Sequence, residues 1–159
     1  VYSAIRFFLF LCLFSPFFQA QAQQKTALLA VSKVVDGDTF WVINSRGEEE
    51  KIRLIGVNTP ESRNTGRTKI QYFGKEATAF AKNTLTGKRV RLEYDVQRSD
   101  RYKRTLAYVY LENGTFFNAL LLQEGYAQVA TYPPNVKYQN QFIKLQKRAR
   151  DQRKGLWRD

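Results

Sequence analysis

At 159 residues the chain has the length of one ordinary domain. Its 26 lysines and arginines against 14 acidic residues give a net charge of +12, which predicts attraction to polyanions, although a basic surface or wall-associated protein would carry the same balance. There is no histidine, which excludes an imidazole base, nucleophile or metal ligand, and the single cysteine, Cys12, has no partner in the chain for a disulfide.

Arg6 is followed by an apolar stretch over residues 7–18, interrupted only by Ser15 and Pro16, and then by Ala20-Gln21-Ala22. This reads as a secretory signal with a small-x-small cleavage site. The stretch falls short of the roughly 20 residues of a membrane span, and a retained anchor is the alternative. Residues 1–22 are thus expected to be a signal, and 23–159 a single domain that is secreted or periplasmic. Cleavage would remove Cys12, so the domain must rely on its core rather than on covalent staples.

From residue 27 to 35 the chain reads as a first strand. Asp36-Gly37 signals a hairpin, and the β-branched and aromatic run 39–43 is its return strand. Asn44-Ser45-Arg46-Gly47 turns the chain into a third strand over 51–57, with Ile52 and Arg53 on opposite faces. Residues 58–70 form a long, polar, basic loop. Helical spacing of Ala77, Phe80, Ala81 and Leu85 predicts a helix over 73–85, ended by Gly87. A fourth strand follows over 90–96, then a charged connection, then a fifth strand over 105–111 and a turn at Asn113-Gly114. An apolar helix over 116–124 stops at Gly125. A rigid bend at Tyr132-Pro133-Pro134-Asn135 leads to an amphipathic helix over 136–154, with Phe142, Leu145 and Ala149 inward. Five short strands with three helices predict an α+β fold dominated by a small closed barrel, because closure removes the edges that an open sheet exposes. A five-stranded barrel of the oligonucleotide-binding (OB-fold) type is the expected architecture.

Acidic and arginine residues cluster on this basic background at Asp36-Gly37-Asp38-Thr39, Arg53, Thr59-Pro60-Glu61 and Asp100-Arg101-Tyr102-Lys103-Arg104. Carboxylates hold hard cations through oxygen, and arginines grip phosphates with paired hydrogen bonds. Together they suggest metal-assisted attack on a phosphodiester. Taken singly, each has a plainer reading. Asp36-Gly37-Asp38 is also a good turn, Arg53 an exposed strand residue, Glu61 a loop carboxylate and Arg104 one of a solvated charge run.

In combination, the chain resembles the staphylococcal (micrococcal) nuclease family. The resemblance is carried by Val34-Val35-Asp36-Gly37-Asp38-Thr39, by Arg53-Leu54-Ile55-Gly56-Val57-Asn58-Thr59-Pro60-Glu61, by Tyr72-Phe73-Gly74-Lys75-Glu76-Ala77 and by residues 100–110. Gly125-Tyr126-Ala127, Tyr132-Pro133-Pro134-Asn135 and Gly155-Leu156-Trp157 extend it. It implies an OB-type barrel and calcium-dependent cleavage of DNA and RNA with little sequence specificity, leaving 3′-phosphate ends. Asp38 then matches the first metal carboxylate, with Asp36 close by, and Thr59 would offer its backbone carbonyl to the metal. Glu61 matches the carboxylate that activates or positions the attacking water. Arg53 and Arg104 match the phosphate-binding arginines, and Tyr102 a tyrosine beside the terminal phosphate.

The sequence departs from that pattern at three places. Asn58 stands where the family usually has a second metal-binding aspartate, which predicts weaker calcium binding. Tyr132 stands alone where two tyrosines usually flank the base. Lys103 replaces a glycine and adds charge beside Tyr102. The loop residues Arg67 and Lys69, with Arg63, are expected to form a phosphate-attracting edge of the cleft, plain solvation being the alternative. The expected partners are DNA and RNA, with no stable protein partner and a monomeric state. The rival reading is a catalytically weakened domain that only binds nucleic acid.

Overall fold

The computed structural model describes residues 25–64, 66 and 68–158. The expected signal at 1–22 and the expected phosphate contact Arg67 lie outside these residues. Five strands close into a barrel in the order β1 (Leu29–Val34), β2 (Thr39–Ile43), β3 (Glu49–Leu54), β6 (Thr105–Leu111) and β5 (Arg89–Glu93). All pairings are antiparallel except β3 with β6. Alternation buries Phe40, Val42, Ile52, Leu54, Val90, Leu92, Ala107 and Val109 in the barrel interior. The five-stranded barrel expected from the sequence is therefore present, together with three helices among the described residues.

Helix α1 (Gly74–Leu85) lies against β1 and buries Ala77, Ala81 and Leu85, the face its helical spacing predicts. Helix α2 (Phe117–Gln123) packs on β6 and inserts Phe117, Leu121 and Leu122 into the core. Helix α3 (Gln139–Asp151) packs on α2 through Phe142 and Ala149. Phe80 stacks on Tyr126, with ring centroids 4.1 Å apart, which ties α1 to the segment after α2.

The third strand does not run unbroken through 51–57. It stops at Leu54, and a separate strand, β4 (Gly56–Asn58), leaves the barrel to pair with β7 (Gln128–Ala130), which the sequence reading did not include. Gly56 makes the break possible. It adopts φ +78°, and a Cβ there would stand 2.6 Å from the Phe142 ring. The buried Asn118 side chain seals the break, donating to the Ile55 carbonyl at 2.9 Å and accepting from the Val109 N–H at 2.9 Å.

Other boundaries differ from expectation too: the first strand spans Leu29–Val34 rather than 27–35, and the last helix ends at Asp151 rather than 154. The last helix begins at Gln139, not 136, because Lys137 and Tyr138 both reach back to the buried Glu93 carboxylate at 2.5 and 2.9 Å. The strand expected over 90–96 ends at Glu93. Just beyond it, the Asp95 carboxylate turns to accept from the Tyr108 hydroxyl at 2.9 Å.

Candidate active site

The start of β2 and the end of β3 meet at one end of the barrel, where Thr39 and Arg53 are register partners. Asp38, one residue before β2, is therefore beside Arg53. The two form an ion pair at 3.2 Å with both side chains largely buried. The same carboxylate accepts from the Thr59 N–H at 2.8 Å and the Thr39 hydroxyl at 3.0 Å. Gly37 makes this approach possible, since a Cβ there would stand 2.6 Å from the Thr59 side chain. Arg53 is held equally firmly. One terminal nitrogen donates to the Leu54 and Val57 carbonyls at 2.8 and 2.9 Å, and the other to the Asn58 amide oxygen at 3.1 Å.

Arg104 approaches from a tight turn over residues 100–104. The Asp100 carboxylate accepts the N–H groups of Tyr102 and Arg104 at 2.9 and 3.0 Å, and Nε of Arg104 at 2.7 Å. Partial burial works against its charged form. The hydrogen bonds and the guanidinium outweigh this and hold Asp100 below the usual carboxylate range. Lys103, inside the turn, has φ +60°, a conformation that suits the glycine of the family motif better than a lysine.

These elements enclose a polar cavity of about 190 Å³ lined by Asp36, Asp38, Arg53, Asn58, Glu61 and Arg104, with Thr59 and Pro60 in its wall. Six residues proposed from sequence, spread from position 38 to 104, thus share one cavity. Burial and the neighbouring Asp38 charge push the Asp36 carboxyl up to about 6. The Glu61 carboxylate is partly exposed and makes no hydrogen bond or ion pair among the described residues; the Glu61 backbone is tied to Gln71, its N–H donating to the Gln71 side chain at 3.0 Å and its carbonyl accepting from the Gln71 N–H at 2.9 Å.

Arg53 and Arg104 also line an adjoining groove of about 590 Å³, walled by Arg101, Tyr102, Tyr132 and Pro133. Tyr102 and Tyr132 are largely exposed, and Arg101 and Arg104 stand over the Tyr102 ring at 4.8 and 5.4 Å. Asn135, part of the expected bend, and Gln97 both line this groove. The buried Asn135 amide pairs with both backbone groups of Gln97 at 2.8 Å, clamping the Tyr132 segment to the loop that carries Tyr102. Lys69 and Lys103 are exposed and line neither space. The sequence cue to Asn135 was its position after two prolines at the end of the bend.

The cavity's donor set is all oxygen: the Asp36 and Asp38 carboxylates, the Asn58 amide and the backbone of Thr59. That chemistry fits a hard cation such as calcium and not a soft one. Among the described residues no three His, Cys, Asp or Glu side chains form a ready-made cage. The set is two carboxylates extended by neutral oxygens.

Residues 51–159 match the family model described as staphylococcal nuclease homologue. The chain is 46% identical to a thermonuclease of Staphylococcus hyicus over 127 residues, covering 80% of this chain and 73% of that one. It is 42% identical to a thermonuclease of Staphylococcus intermedius over 142 residues, 89% and 83% of the two chains. It is 34% identical to the endonuclease YncB of Bacillus subtilis over 137 residues, 85% and 64% of the two.

Proposed function

This chain belongs to the staphylococcal nuclease family, and from that premise we propose that it is a calcium-dependent nuclease that cuts DNA and RNA with little sequence preference and leaves 3′-phosphate ends. Hydrolysis of phosphodiester bonds follows from the thermonuclease and endonuclease relatives. The observation that carries the mechanism is the convergence of Asp38, Arg53, Glu61 and Arg104 on one small polar cavity.

A phosphodiester resists attack because nucleophile and phosphate are both negative. Arg53 and Arg104 meet that charge in the same cavity and donate to the non-bridging oxygens, where it grows in the five-coordinate state. Glu61, with no competing partner among the described residues, is placed to accept a proton from water or fix its direction. Asp38, assisted by Asp36, Asn58 and the Thr59 carbonyl, would hold calcium, which when bound would neutralise a phosphate oxygen and orient the attacking water. Tyr102 and Tyr132 flank the groove for nucleotides, where each stacked base is worth roughly 1–3 kcal/mol. Lys69 and Lys103, exposed outside both spaces, add to the positive charge that attracts the strand.

The protein acts as a monomer, exported by residues 1–22 to the periplasm or the medium. The export is supported by the apolar run and the Ala20-Gln21-Ala22 site.

Digestion of denatured DNA and of RNA, with calcium raised from chelated to about 10 mM, the range of weak extracellular sites, tests the proposal. Calcium-dependent cleavage that leaves 3′-phosphates is expected, and Asn58→Asp should lower the calcium midpoint. The neutral Asn58 is the one observation favouring a domain that only binds nucleic acid. DNA bound but uncut at every calcium level would select that reading.

A further inference from the structure

A second cavity, lined by chain neighbours of two residues of the catalytic one, has no part in the proposed reaction. It measures about 300 Å³ and its walls include Val35, Ser62, Arg63, Lys75, Thr78 and Lys82. Lys75, Thr78 and Lys82 recur at helical spacing on one face of α1. Arg63 reaches in from the loop, donating to the Val35 carbonyl at 3.3 Å. A neighbouring cavity of about 180 Å³ shares Lys82 and adds Lys33. Among the described residues no carboxylate lines either cavity, and none of these four cations is in an ion pair. The buried Thr78 hydroxyl also has no partner among them. Uncompensated charge in a concave surface focuses the field on an incoming anion.

The position of this cavity indicates which anion. Val35 and Ser62 line it, while their chain neighbours Asp36 and Glu61 line the catalytic cavity. The catalytic cavity in turn shares Arg53 and Arg104 with the groove of Tyr102 and Tyr132. The catalytic cavity is thus linked to the groove by shared residues and to the basic cavity by directly bonded ones. Lys75 and Lys82 stand about 10 Å apart along the helix axis at ~1.5 Å per residue, a distance that spans about three nucleotides of stacked strand at ~3.4 Å each. Cations spread along a face suit a row of phosphates better than a single small ion.

We infer that the basic cavity holds backbone phosphates of the same polynucleotide strand, beyond the bond being cut, and so makes long strands better substrates than short ones. The inference rests on the nuclease reading of the catalytic cavity and adds a substrate-length preference to it.

The test compares the full chain with a Lys33→Gln, Lys75→Gln, Lys82→Gln triple variant and with a Lys144→Gln, Lys147→Gln, Arg148→Gln control of equal net charge. Arg63 is left in place because it holds the Val35 carbonyl beside the site. Binding of a labelled single-stranded 20-mer is followed by fluorescence anisotropy, and cleavage of the 20-mer and of a dinucleotide-length phosphodiester is timed. The triple variant should raise Kd and KM for the 20-mer on the order of 10-fold, with the salt slope shallower by about two if three phosphate contacts are lost. Its kcat and its action on the short diester should match the wild type, and the control should stay within about 2-fold of wild-type 20-mer binding, as charges away from the strand would. Unchanged 20-mer binding in the triple variant would overturn the inference, as would an equal loss in the control. A Lys→Arg triple at the same positions should bind like the wild type; if it is as weak as the glutamine variant, the cavity's charge is not the cause and the inference falls. A wild-type protein that cuts neither substrate ends the nuclease reading alone, because the binding comparison still decides the subsite.

Discussion

Arg53 and Arg104 face the same cavity from two regions built very differently. Arg53 belongs to the barrel: two backbone carbonyls, an amide and a carboxylate hold it, and its side chain is 15% exposed. Arg104 sits at the end of a surface turn, held by Asp100 and the exposed Tyr102 ring of that same turn, and is 26% exposed. The barrel side supplies a charge whose position was set by folding, whereas the turn side supplies one whose position depends on a single local motif. On the proposed mechanism, one arginine therefore serves stability as well as chemistry, and the other serves chemistry almost alone.

Alanine at either position separates the two. Each should lower kcat on the order of 10²–10³, by analogy with loss of one transition-state donor. Arg53→Ala also strands the buried Asp38 carboxylate and should destabilise the fold by about 3–5 kcal/mol. Arg104→Ala should cost about 1 kcal/mol or less, as for exposed pairs. Urea unfolding beside initial rates checks both, and equal stability losses would break the comparison.

The two buried asparagines sharpen the contrast. Asn118→Ala leaves the Ile55 carbonyl and the Val109 N–H unpaired in the core and should cost about 2–4 kcal/mol. Asn135→Ala frees the groove wall from Gln97, so its main effect should be a several-fold rise in KM for DNA with a smaller loss of stability. Steady-state kinetics with thermal melts on both variants would show it.

Asp100 gives the turn a pH signature. Its folded pKa is depressed, so its contribution to stability is complete above the unfolded value near 3.9 and is lost as pH falls through the folded value. Asp100→Asn should therefore be less stable than wild type by about 1–2 kcal/mol at pH 6, with the gap closing below about pH 4. A gap that persists undiminished at pH 3 would contradict the assignment. The smallest expected effect is at Lys103. Replacing it by glycine relieves the positive φ and should stabilise by about 0.5–1 kcal/mol.

The barrel was legible because alternation in β2, β3 and β6 survives in the sequence and their inward residues are all apolar. The break after Leu54 was not, because Ile55 and Val57 continue an apolar pattern and Gly56 is the only local cue. β7 escaped notice because three residues carry too little periodicity to read. Residues 136–138 fit the helical pattern that follows them, but Lys137 and Tyr138 reach Glu93 from another strand, a contact no local pattern encodes. The site residues were legible as motifs, and Asp38, Arg53, Asn58, Thr59, Glu61 and Arg104 do share one cavity. Their division between a locked and a lightly held arginine depends on backbone carbonyls, to which composition is blind. The basic cavity was half visible, as lysines at helical spacing, while its closure by Arg63 depends on how the loop folds back.

The cavity of Asp38, Arg53, Glu61 and Arg104 is proposed to perform the cleavage. Glu61→Gln tests it most directly, because this carboxylate supports no other contact among the described residues. Single-turnover cleavage of denatured DNA in saturating calcium should fall at least 10²-fold, the low end for loss of a general base, with DNA affinity and melting temperature unchanged. Cleavage at the wild-type rate would place the chemistry elsewhere and contradict the account.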